Sequence, residues 1–433
     1  MKSFTAGRKS VPTCCFFIMN EKQVLIEIAT QAIKKMDAGM LLERHISDDF
    51  AAGRLLLIAI GKAAWQMANT AYNHFGSHLT KGIVITKYGH SQGKIGNLEI
   101  YEAGHPLPDE NSLLATKRVL ELAQDRSDYA EIIFLVSGGG SALFENPLPE
   151  VTLPDLIEIN TILLNCGANI NEINTVRKHL SSVKGGRFAQ YVAPLKIHCF
   201  MLSDVVGDEV GSIASGPAVA DVSTSEEALR VLQKYHLPIA ENILNALRTE
   251  TPKFIDNTDY QIIGNVQILC QSAATIAQEF GYQARIVRTN FCEDVEMVAD
   301  HIIAKIQKIR ESNFSQPLVL IFGGEPTVQV HGKGKGGRNQ HLALLMAQRI
   351  SGMNNIVFLS LASDGTDGPT DAAGGVVDGS TYRKMTDNNW HLAEFDSYNI
   401  LQKIGCLIKI GATGTNVNDL MLVMINPAPS ERF

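Results

Sequence analysis

Four glycine-bearing loops in the sequence follow apolar, strand-like segments and carry side chains that could bind phosphate or a metal ion. In the first loop, IAIGKAA, Lys62 comes directly after the glycine that ends an apolar run. A lysine at the start of the following helix adds its charge to backbone N–H groups that attract anions. The second loop, VSGGGSALFENP, has three consecutive glycines whose N–H groups can closely approach a phosphate. It supplies the predicted phosphate-binding residues Ser137, Gly138, Gly139, Gly140 and Ser141.

Aspartates follow two other strand-like segments and are the metal candidates. Asp204 begins the third loop, DVVGDEVGSIASGP, and Asp364 lies in SDGTDGPTDAAGG. Carboxylates at strand ends suit Mg²⁺ that arrives with a nucleotide, because this ion often uses only one or two protein carboxylates. The alternative is that both are ordinary loop aspartates that cap turns. Which of the two binds the metal or accepts a proton stays open.

A cluster of basic residues lies in the segment NTVRKHLSSVKGGRFAQ. Arg177, Lys184 and Arg187 fall within eleven residues, together with Lys178. In an acidic protein this local excess predicts a site for a carboxylate or phosphate, and we assign Arg177, Lys184 and Arg187 to substrate binding. A solvated helix face is the alternative explanation for part of the cluster.

The fourth loop, GGEPTVQVHGKGKGGRNQHLAL, contains a possible dinucleotide fingerprint. Gly332, Gly334 and Gly337 match G-x-G-x-x-G between a strand and a helix, but the acidic residue expected about 20 positions later is absent. Two lysines in the loop and Arg338 at the helix start favour phosphate over ribose recognition. We therefore predict phosphate binding by Gly334, Gly336 and Gly337, and a catalytic role for Arg338.

The pattern of apolar segments predicts two α/β domains. In 21–246, fully apolar strand-like runs alternate with helical patterns, which is typical of a Rossmann-like parallel sheet covered on both faces. Its ligand crevice would lie beyond the carboxyl ends of the strands. A polar, turn-rich stretch at 247–260 is the predicted linker to a second α/β domain at 261–433. Residues 1–20 are predicted to be a disordered extension, with a mitochondrial transit peptide as the alternative.

Composition excludes several classes of protein. The formal net charge of −7 opposes non-specific nucleic-acid binding, which needs a basic surface. No apolar run reaches the roughly 18 residues of a membrane span. The seven cysteines form neither a zinc-type nor a disulfide-type pattern, which fits a reducing compartment. We expect a cytoplasmic protein with neither nucleic acid nor membrane as a partner.

Several long motifs together resemble a known family. The sequence contains, in this order, GKAAWQMA, VSGGGSALFENPLP, INTVRKHLSSVKGGRFA, LSDVVGDEVGSIASGP, GGEPTVQVHGKGKGGRNQHLAL, SDGTDGPTDAAGG and TGTNVNDL. They resemble the class II glycerate kinases, whose C-terminal part is called the MOFRL domain. The resemblance runs from about residue 22 to about residue 425, and some members of the family are named hydroxypyruvate reductase.

The resemblance implies both a fold and an activity. It implies a Rossmann-like domain and a second α/β domain with a mixed sheet, with an active-site cleft between them. The implied activity is phosphorylation of D-glycerate to 2-phosphoglycerate with ATP and Mg²⁺, so that D-glycerate and MgATP are the expected partners. It also implies that Lys62 and Arg338 are functionally critical. A homodimer remains open.

Two other functions stay as alternatives. An NAD(P)-dependent hydroxypyruvate reductase is supported by the second family name and by the fingerprint glycines of the fourth loop. A non-catalytic sugar-acid-binding protein would also use two domains around a cleft. Dependence on magnesium separates these alternatives, because only the kinase requires it.

Overall fold

The computed structural model describes residues 19–47, 54–125, 128–237, 240–312, 314–385 and 388–427. Residues 1–18 of the predicted extension lie outside these ranges. Within them the chain forms two six-stranded sheets, each packed against helices. No helix in the described ranges is long and apolar enough to cross a membrane.

The first sheet is entirely parallel and has the strand order β3-β2-β1-β4-β5-β6. All six residues of β1, LLLIAI, are buried, because helices cover both faces of the sheet. This is the strand order of a Rossmann fold. The strands are β1 (Leu55–Ile60), β2 (Leu79–Lys87), β3 (Glu99–Ala103), β4 (Glu131–Val136), β5 (Lys196–Leu202) and β6 (Thr258–Gly264).

Strand β6 lies across the predicted domain boundary. It pairs in parallel with β5, with Ile197 opposite Thr258, so the first sheet continues to Gly264. The stretch is polar because β6 is an edge strand, and Asp259 and Tyr260 on it are exposed. The composition that predicted a linker at 247–260 thus belongs partly to the rim of the first sheet.

The second sheet is mixed and has the order β11-β10-β9-β12-β8-β7. Only β7 and β8 pair in parallel, whereas β12 runs antiparallel to both of its neighbours. The predicted fold class, a parallel sheet followed by a mixed one, is confirmed. The strands are β7 (Gln283–Phe291), β8 (Leu318–Gly324), β9 (Ile356–Ala362), β10 (Gly374–Asp378), β11 (Leu407–Ile408) and β12 (Asp419–Ile425).

The helices of the first part of the chain fall into two groups. Helices α6, α7, α9 and α10 form a separate helical cluster with its own core, which includes Leu163 and Val176. Of the remaining six helices in the described ranges, five pack on the first sheet or near its edges. Helix α1 belongs to neither group. The ten helices are α1 (Glu21–Lys34), α2 (Ala38–Glu43), α3 (Ala64–Phe75), α4 (Glu110–Gln124), α5 (Gly140–Leu143), α6 (Leu153–Asn165), α7 (Ile170–Leu180), α8 (Arg187–Val192), α9 (Ser225–Lys234) and α10 (Glu241–Leu247).

Helix α1 joins the two halves of the protein. It contacts β9, β10 and β12 of the second sheet, and it also packs on α11. Leu25 and Ile28 on α1 belong to one core cluster that includes residues of both sheets. The segment predicted as the start of the first domain therefore lies against the second. The remaining helices are α11 (Val266–Glu279), α12 (Val295–Arg310), α13 (Arg338–Arg349), α14 (Asn388–Ala393) and α15 (Ser397–Lys403).

Candidate active site

A cavity of about 490 Å³ lies where the carboxyl ends of the first sheet meet loops of the second domain. Open parallel sheets bind ligands at this edge. Both domains contribute walls, as expected for a cleft between them. The first contributes Lys62, Ala63, Gln66, Lys87, Gly89, His90, Gln92, Ser137, Gly138 and Leu202, and the second Asp364, Thr366, Ala412, Gly414, Thr415 and Asn416.

The first two glycine loops are fixed to each other. The N–H of Lys62 donates to the Gly138 carbonyl at 2.9 Å, and the N–H of Ala63 donates to Ser137 Oγ at 3.1 Å. Gly61 has a φ of +112°, and a Cβ there would overlap Ser137, so this close approach requires glycine. The position of Lys62 is therefore set by the loop after β4 as much as by its own strand.

Lys62 lies beside Gly138 and Gly139 of the second loop, and together these residues form a positively charged corner of the cavity wall. Its ammonium group makes no ion pair with any residue in the described ranges. A Cβ on Gly139 would lie 3.4 Å from Lys62 Cγ and 2.9 Å from His105 Cδ2, so the three residues are in contact. The N–H groups of Gly138 and Gly139 donate to no atom of the described chain. These free donors and the free charge can together hold an anion.

Not all of the predicted glycine-loop residues face the cavity. Ser137 and Gly138 line it, and Gly139 contacts Lys62. Gly140 instead packs against Ala214, and the Ser141 hydroxyl lies 3.1 Å from the Ser215 hydroxyl. The last two residues of the set thus bind the loop after β5.

Asp204, directly after β5, lies against the same corner. A Cβ on Gly138 would overlap its carboxyl group. Removal from solvent raises the pKa of Asp204 to about 6, while Lys62 lowers it and Glu325 of the second domain raises it further. A carboxyl group with this pKa is ionised at neutral pH and can accept a proton.

Asp364 lies on the opposite wall of the cavity. Its carboxylate accepts the N–H of Thr366 at 2.9 Å. In the described ranges no group of three or more His, Cys, Asp or Glu residues could enclose a metal ion. A magnesium ion that arrives with a nucleotide needs only one or two carboxylates, and Asp204 and Asp364 fit that requirement.

Arg338, the first residue of α13, is neutralised inside its own domain. Its Nε and Nη2 bind the two oxygens of Asp419 at 2.6 and 3.0 Å, and Nη1 binds Glu325 Oε1 at 2.9 Å. Burial lowers the pKa of Arg338, but Asp419 and Glu325 raise it by more, so the net shift is upward. Burial raises the pKa of the Asp419 carboxyl group, and its contact with Arg338 opposes that rise. Unlike Lys62, Arg338 therefore holds carboxylates in place.

The lysine- and glycine-rich part of the fourth loop packs onto protein. The N–H of Gly334 donates to the Glu394 carbonyl at 2.8 Å. The N–H groups of Lys333 and Lys335 bind carboxylate oxygens of Glu394 and Asp396, each at 3.1 Å. Three backbone donors of the loop are thus occupied, and one of them, the N–H of Gly334, was predicted to bind phosphate.

A protein carboxylate also occupies the N-terminus of α13. Asp367 accepts the N–H groups of Asn339 at 3.1 Å and Gln340 at 2.8 Å, and a Cβ on Gly337 would overlap Asp367. Gly336 packs closely on Ser397. The structure therefore does not bring Gly334, Gly336 and Gly337 to the cavity, because protein groups fill the space that a phosphate would need.

The predicted substrate-binding cluster lies in the interior of the protein. Lys184 is fully buried and binds Glu145 Oε2 at 2.5 Å. Arg187 donates to backbone carbonyls, including that of Ser181 at 2.6 Å. Arg177 donates to Asn160 at 2.6 Å, within the helical cluster. These cations stabilise buried loops, and the structure brings none of the three to the cleft.

Two family models match the chain. A domain of unknown function, DUF4147, matches residues 24–248, and the MOFRL family matches residues 318–419. The chain is 47% identical to the D-glycerate 2-kinase of Thermotoga maritima, over 94% of this chain and 100% of that protein. The chain belongs to the class II glycerate kinase, or MOFRL, family. The resemblance seen in the motifs is confirmed.

Two further comparisons place this MOFRL-family protein among its relatives. It is 33% identical to a putative hydroxypyruvate reductase of Agrobacterium vitis, over 94% of this chain and 95% of that protein. A crystal structure of glycerate kinase from Thermotoga maritima matches with a TM-score of 0.88 and 46% identity. That match covers 93% of this chain and 99% of the other. The relatives thus span the whole two-domain architecture.

The site of this MOFRL-family protein also contains residues that the sequence did not single out. His105 touches Gly139, and burial, followed by the charges of Lys62 and Lys87, lowers its pKa to about 4. Glu325 and Asn418 lie at the junction of the two domains. The segments of Glu325 and Asn418, GGEPT and TGTNVNDL, belong to the motifs that carry the family resemblance. The roles of these single residues could not be predicted, because each depends on partners far away in the chain.

Proposed function

We propose that the protein is a glycerate 2-kinase that transfers the γ-phosphoryl group of ATP to the 2-hydroxyl of D-glycerate in a Mg²⁺-dependent reaction. The observation that carries this proposal is the corner formed by Lys62, the free N–H groups of Gly138 and Gly139, and Asp204. Lys62 and Gly138 line a cavity between the two domains, and the Asp204 carboxyl group, with a pKa of about 6, lies directly behind Gly138. The Thermotoga maritima relative is named a D-glycerate 2-kinase, which supports the same substrate.

Phosphoryl transfer makes modest demands on the protein. It needs the two substrates in line and neutralisation of charge on the transferred group. The bond from the glycerate 2-oxygen to the γ-phosphorus forms while the bond from that phosphorus to the bridging oxygen of ADP breaks. We assign Lys62 and the N–H groups of Gly138 and Gly139 to the oxygens of the transferred group.

Asp204 is the group that we assign to the proton of the glycerate hydroxyl. Its carboxylate lies beside Lys62, and its pKa of about 6 leaves it ionised at neutral pH. Bound Mg²⁺ would neutralise charge on the phosphates, and Asp364 on the second-domain wall is the carboxylate that we assign to it. This division gives each aspartate one task, and the two lie on different domains.

The fourth loop supports the kinase over the reductase. A dinucleotide pyrophosphate normally sits on the helix N-terminus behind the G-x-G-x-x-G loop. Here Asp367 caps that helix, and Glu394 and Asp396 take the N–H groups of the loop. A pyrophosphate would have to displace three carboxylates.

The test is a product assay with the purified protein. D-glycerate with ATP, with and without Mg²⁺, and hydroxypyruvate with NADH are supplied separately, and products are identified by ³¹P and ¹³C NMR. We expect 2-phosphoglycerate and ADP in equal amounts, only when Mg²⁺ is present, with L-glycerate as the stereochemical control. Oxidation of NADH by hydroxypyruvate without phosphorylation of glycerate would contradict the proposal.

A further inference from the structure

Asn418 connects the two domains at the edge of the proposed active site. Its side-chain amide nitrogen donates to the backbone carbonyl of Asp204 at 2.7 Å and to Glu325 Oε2 at 3.1 Å. The first acceptor belongs to the first domain and the second to the other. Only 2% of Asn418 is exposed, so these bonds form without competition from bulk water.

The backbone holds Asn418 rigidly within the second domain. Its carbonyl accepts the N–H of Ser363 at 3.1 Å, and the neighbouring N–H of Val417 donates to Ser363 Oγ at 2.9 Å. The next residue, Asp419, begins β12 and is ion-paired with Arg338. Asn418 itself has a φ of +65°, a left-handed conformation that asparagine tolerates better than most residues.

Glu325 is held at both of its carboxylate oxygens. Arg338 Nη1 binds Oε1 at 2.9 Å, and the Asn418 amide binds Oε2 at 3.1 Å. This two-sided contact fixes the orientation of Glu325 toward Asp204. Among the described residues, the member of this network that crosses between the domains is the bond from Asn418 to the Asp204 carbonyl.

We propose that Asn418 is a positioning residue whose amide keeps Asp204 of one domain in register with Glu325 and Arg338 of the other. The inference deepens the proposed function, because it concerns the alignment of the residues assigned to phosphoryl transfer. Asn418 acts through Asp204 and Glu325. Its loss should therefore change turnover more than substrate affinity.

The kinetic test replaces Asn418 with glycine, which adopts the same backbone conformation without a side chain. We expect kcat to fall roughly tenfold to a hundredfold, because a displacement of about 1 Å can cost about 100-fold in rate. The KM values for glycerate and ATP should stay within about threefold of the wild type, since no substrate contact is removed. A kcat within about twofold of the wild type would overturn the inference.

Asn355→Gly is the matched control. Asn355 also has a left-handed backbone, with a φ of +62°, and its amide makes one bond, to the Pro427 carbonyl at 3.4 Å. It precedes β9, at the opposite end of that strand from Asp364. The same substitution should therefore leave kcat unchanged there. An equal loss of kcat in both variants would mean that the effect at Asn418 is general destabilisation, and would also overturn the inference.

Asn418→Asp is a second variant that keeps the size of the side chain. It removes the donor and places a carboxylate beside Glu325. We expect kcat to fall at least as far as in Asn418→Gly. Adding Glu325→Gln should recover part of the loss, because one of the two adjacent negative charges is then removed. Wild-type kcat in Asn418→Asp would count against the proposal.

An interdomain distance gives a readout that does not depend on activity. Among the described cysteines, Cys166 and Cys292 are exposed and lie on different domains, whereas Cys199, Cys270 and Cys406 are buried. Nitroxide labels on the two exposed cysteines, with Cys14 and Cys15 replaced by serine throughout, report one distance across the cleft. We expect a broader or shifted distribution in Asn418→Gly and an unchanged one in Asn355→Gly.

The two readouts separate failure of the inference from failure of the proposed function. An unchanged distance distribution in Asn418→Gly would overturn the positioning role whatever the enzyme does. A wild-type protein that does not phosphorylate glycerate would refute the proposed function, and the distance measurement alone would then decide the role of Asn418.

Discussion

Arg338 and Asp419 form a two-point ion pair, in which Nε lies 2.6 Å from Oδ2 and Nη2 lies 3.0 Å from Oδ1. Only 1% of the Asp419 side chain is exposed, so the guanidinium is its main source of compensation. Removing one partner of a buried pair leaves a charge without solvent or counter-ion. Arg338 is therefore a structural residue as well as a candidate for the active site.

We expect Arg338→Ala to lower the free energy of unfolding by about 3–5 kcal/mol, because it strands the Asp419 carboxylate. Urea denaturation followed by circular dichroism measures this loss. Arg349→Ala is the control on the same helix: its ion-pair partners, Glu296 and Asp300, are exposed, so its cost should stay under about 1 kcal/mol. Adding Asp419→Asn to Arg338→Ala should restore part of the stability. A single variant as stable as the wild type would contradict the structural role.

Lys62 should behave in the opposite way. Because it has no ion pair in the described part of the chain, Lys62→Ala should leave the free energy of unfolding within about 0.5 kcal/mol of the wild type. If Lys62 contacts the transferred group, its loss should remove about 3–4 kcal/mol of transition-state stabilisation. Turnover should then fall a few hundredfold. Steady-state kinetics and urea denaturation measure the two effects. Lys117→Ala, on the exposed face of α4, is the control and should change neither.

At neutral pH the ionised carboxyl group of Asp204 should lower the free energy of unfolding while it is required for turnover. Its pKa in the folded protein, about 6, lies above the ordinary value of 3.8, so the folded state holds the proton more tightly than the unfolded state does. The stability that this group contributes is complete below pH 3.8 and is lost as the pH rises through about 6. At pH 8, Asp204→Asn should therefore raise the free energy of unfolding by on the order of 1–3 kcal/mol while abolishing turnover.

Urea denaturation of Asp204→Asn and of the wild type from pH 5 to pH 8 tests this expectation. The advantage of the variant should shrink as the pH falls, and wild-type kcat should decline below about pH 6. Asp256→Asn is the control, because Asp256 is exposed, and its effect should stay within about 0.5 kcal/mol. A variant that is less stable than the wild type at pH 8 would show that the Asp204 carboxylate is well solvated or paired.

The sequence predicted those features that depend on neighbouring residues. The fully apolar runs of β1 and β4 indicated a parallel sheet because burial on both faces leaves no alternation. The glycine loop after β4 indicated a close approach, and Gly138 and Gly139 do meet Asp204 and Lys62. In each case the pattern itself is complete within about ten residues, although the groups that it meets are distant in the chain.

Features that depend on distant partners could not be predicted in this way. Lys184 and Lys62 both lie next to glycines in polar loops. Lys184 is paired with Glu145 inside the protein, whereas Lys62 lines the cleft and has no ion pair among the described residues. The partner of Lys184 lies on another loop, and no local pattern distinguishes the two lysines. The place of β6 in the first sheet could not be predicted for a similar reason, since an edge strand can be as polar as a linker.

Asp367 caps the N-terminus of α13. The Asp367 carboxylate accepts two main-chain N–H groups and the side-chain amide of Gln340, and 2% of Asp367 is exposed. Asp367→Ala leaves the two main-chain donors buried without this partner, so the free energy of unfolding should fall by about 1–2 kcal/mol or more. Asp364 lies in the same loop, and among the described residues its carboxylate is bonded by Thr366 alone, so Asp364→Ala should cost less than about 1 kcal/mol.

The same cap should keep NADH out of the wild-type protein. A dinucleotide needs the helix N-terminus that Asp367 occupies, and its pyrophosphate would be repelled by Asp367, Glu394 and Asp396. We therefore expect no saturable quenching of NADH fluorescence at micromolar concentrations, in the wild type or in Asp364→Ala. Quenching that saturates in the wild type and is lost when Gly337 is changed to alanine would mean that the fourth loop opens to a dinucleotide. The loop cannot bind a pyrophosphate while Asp367 caps the helix, so such binding would require the cap to open. That result would reverse the preference for a kinase over a reductase.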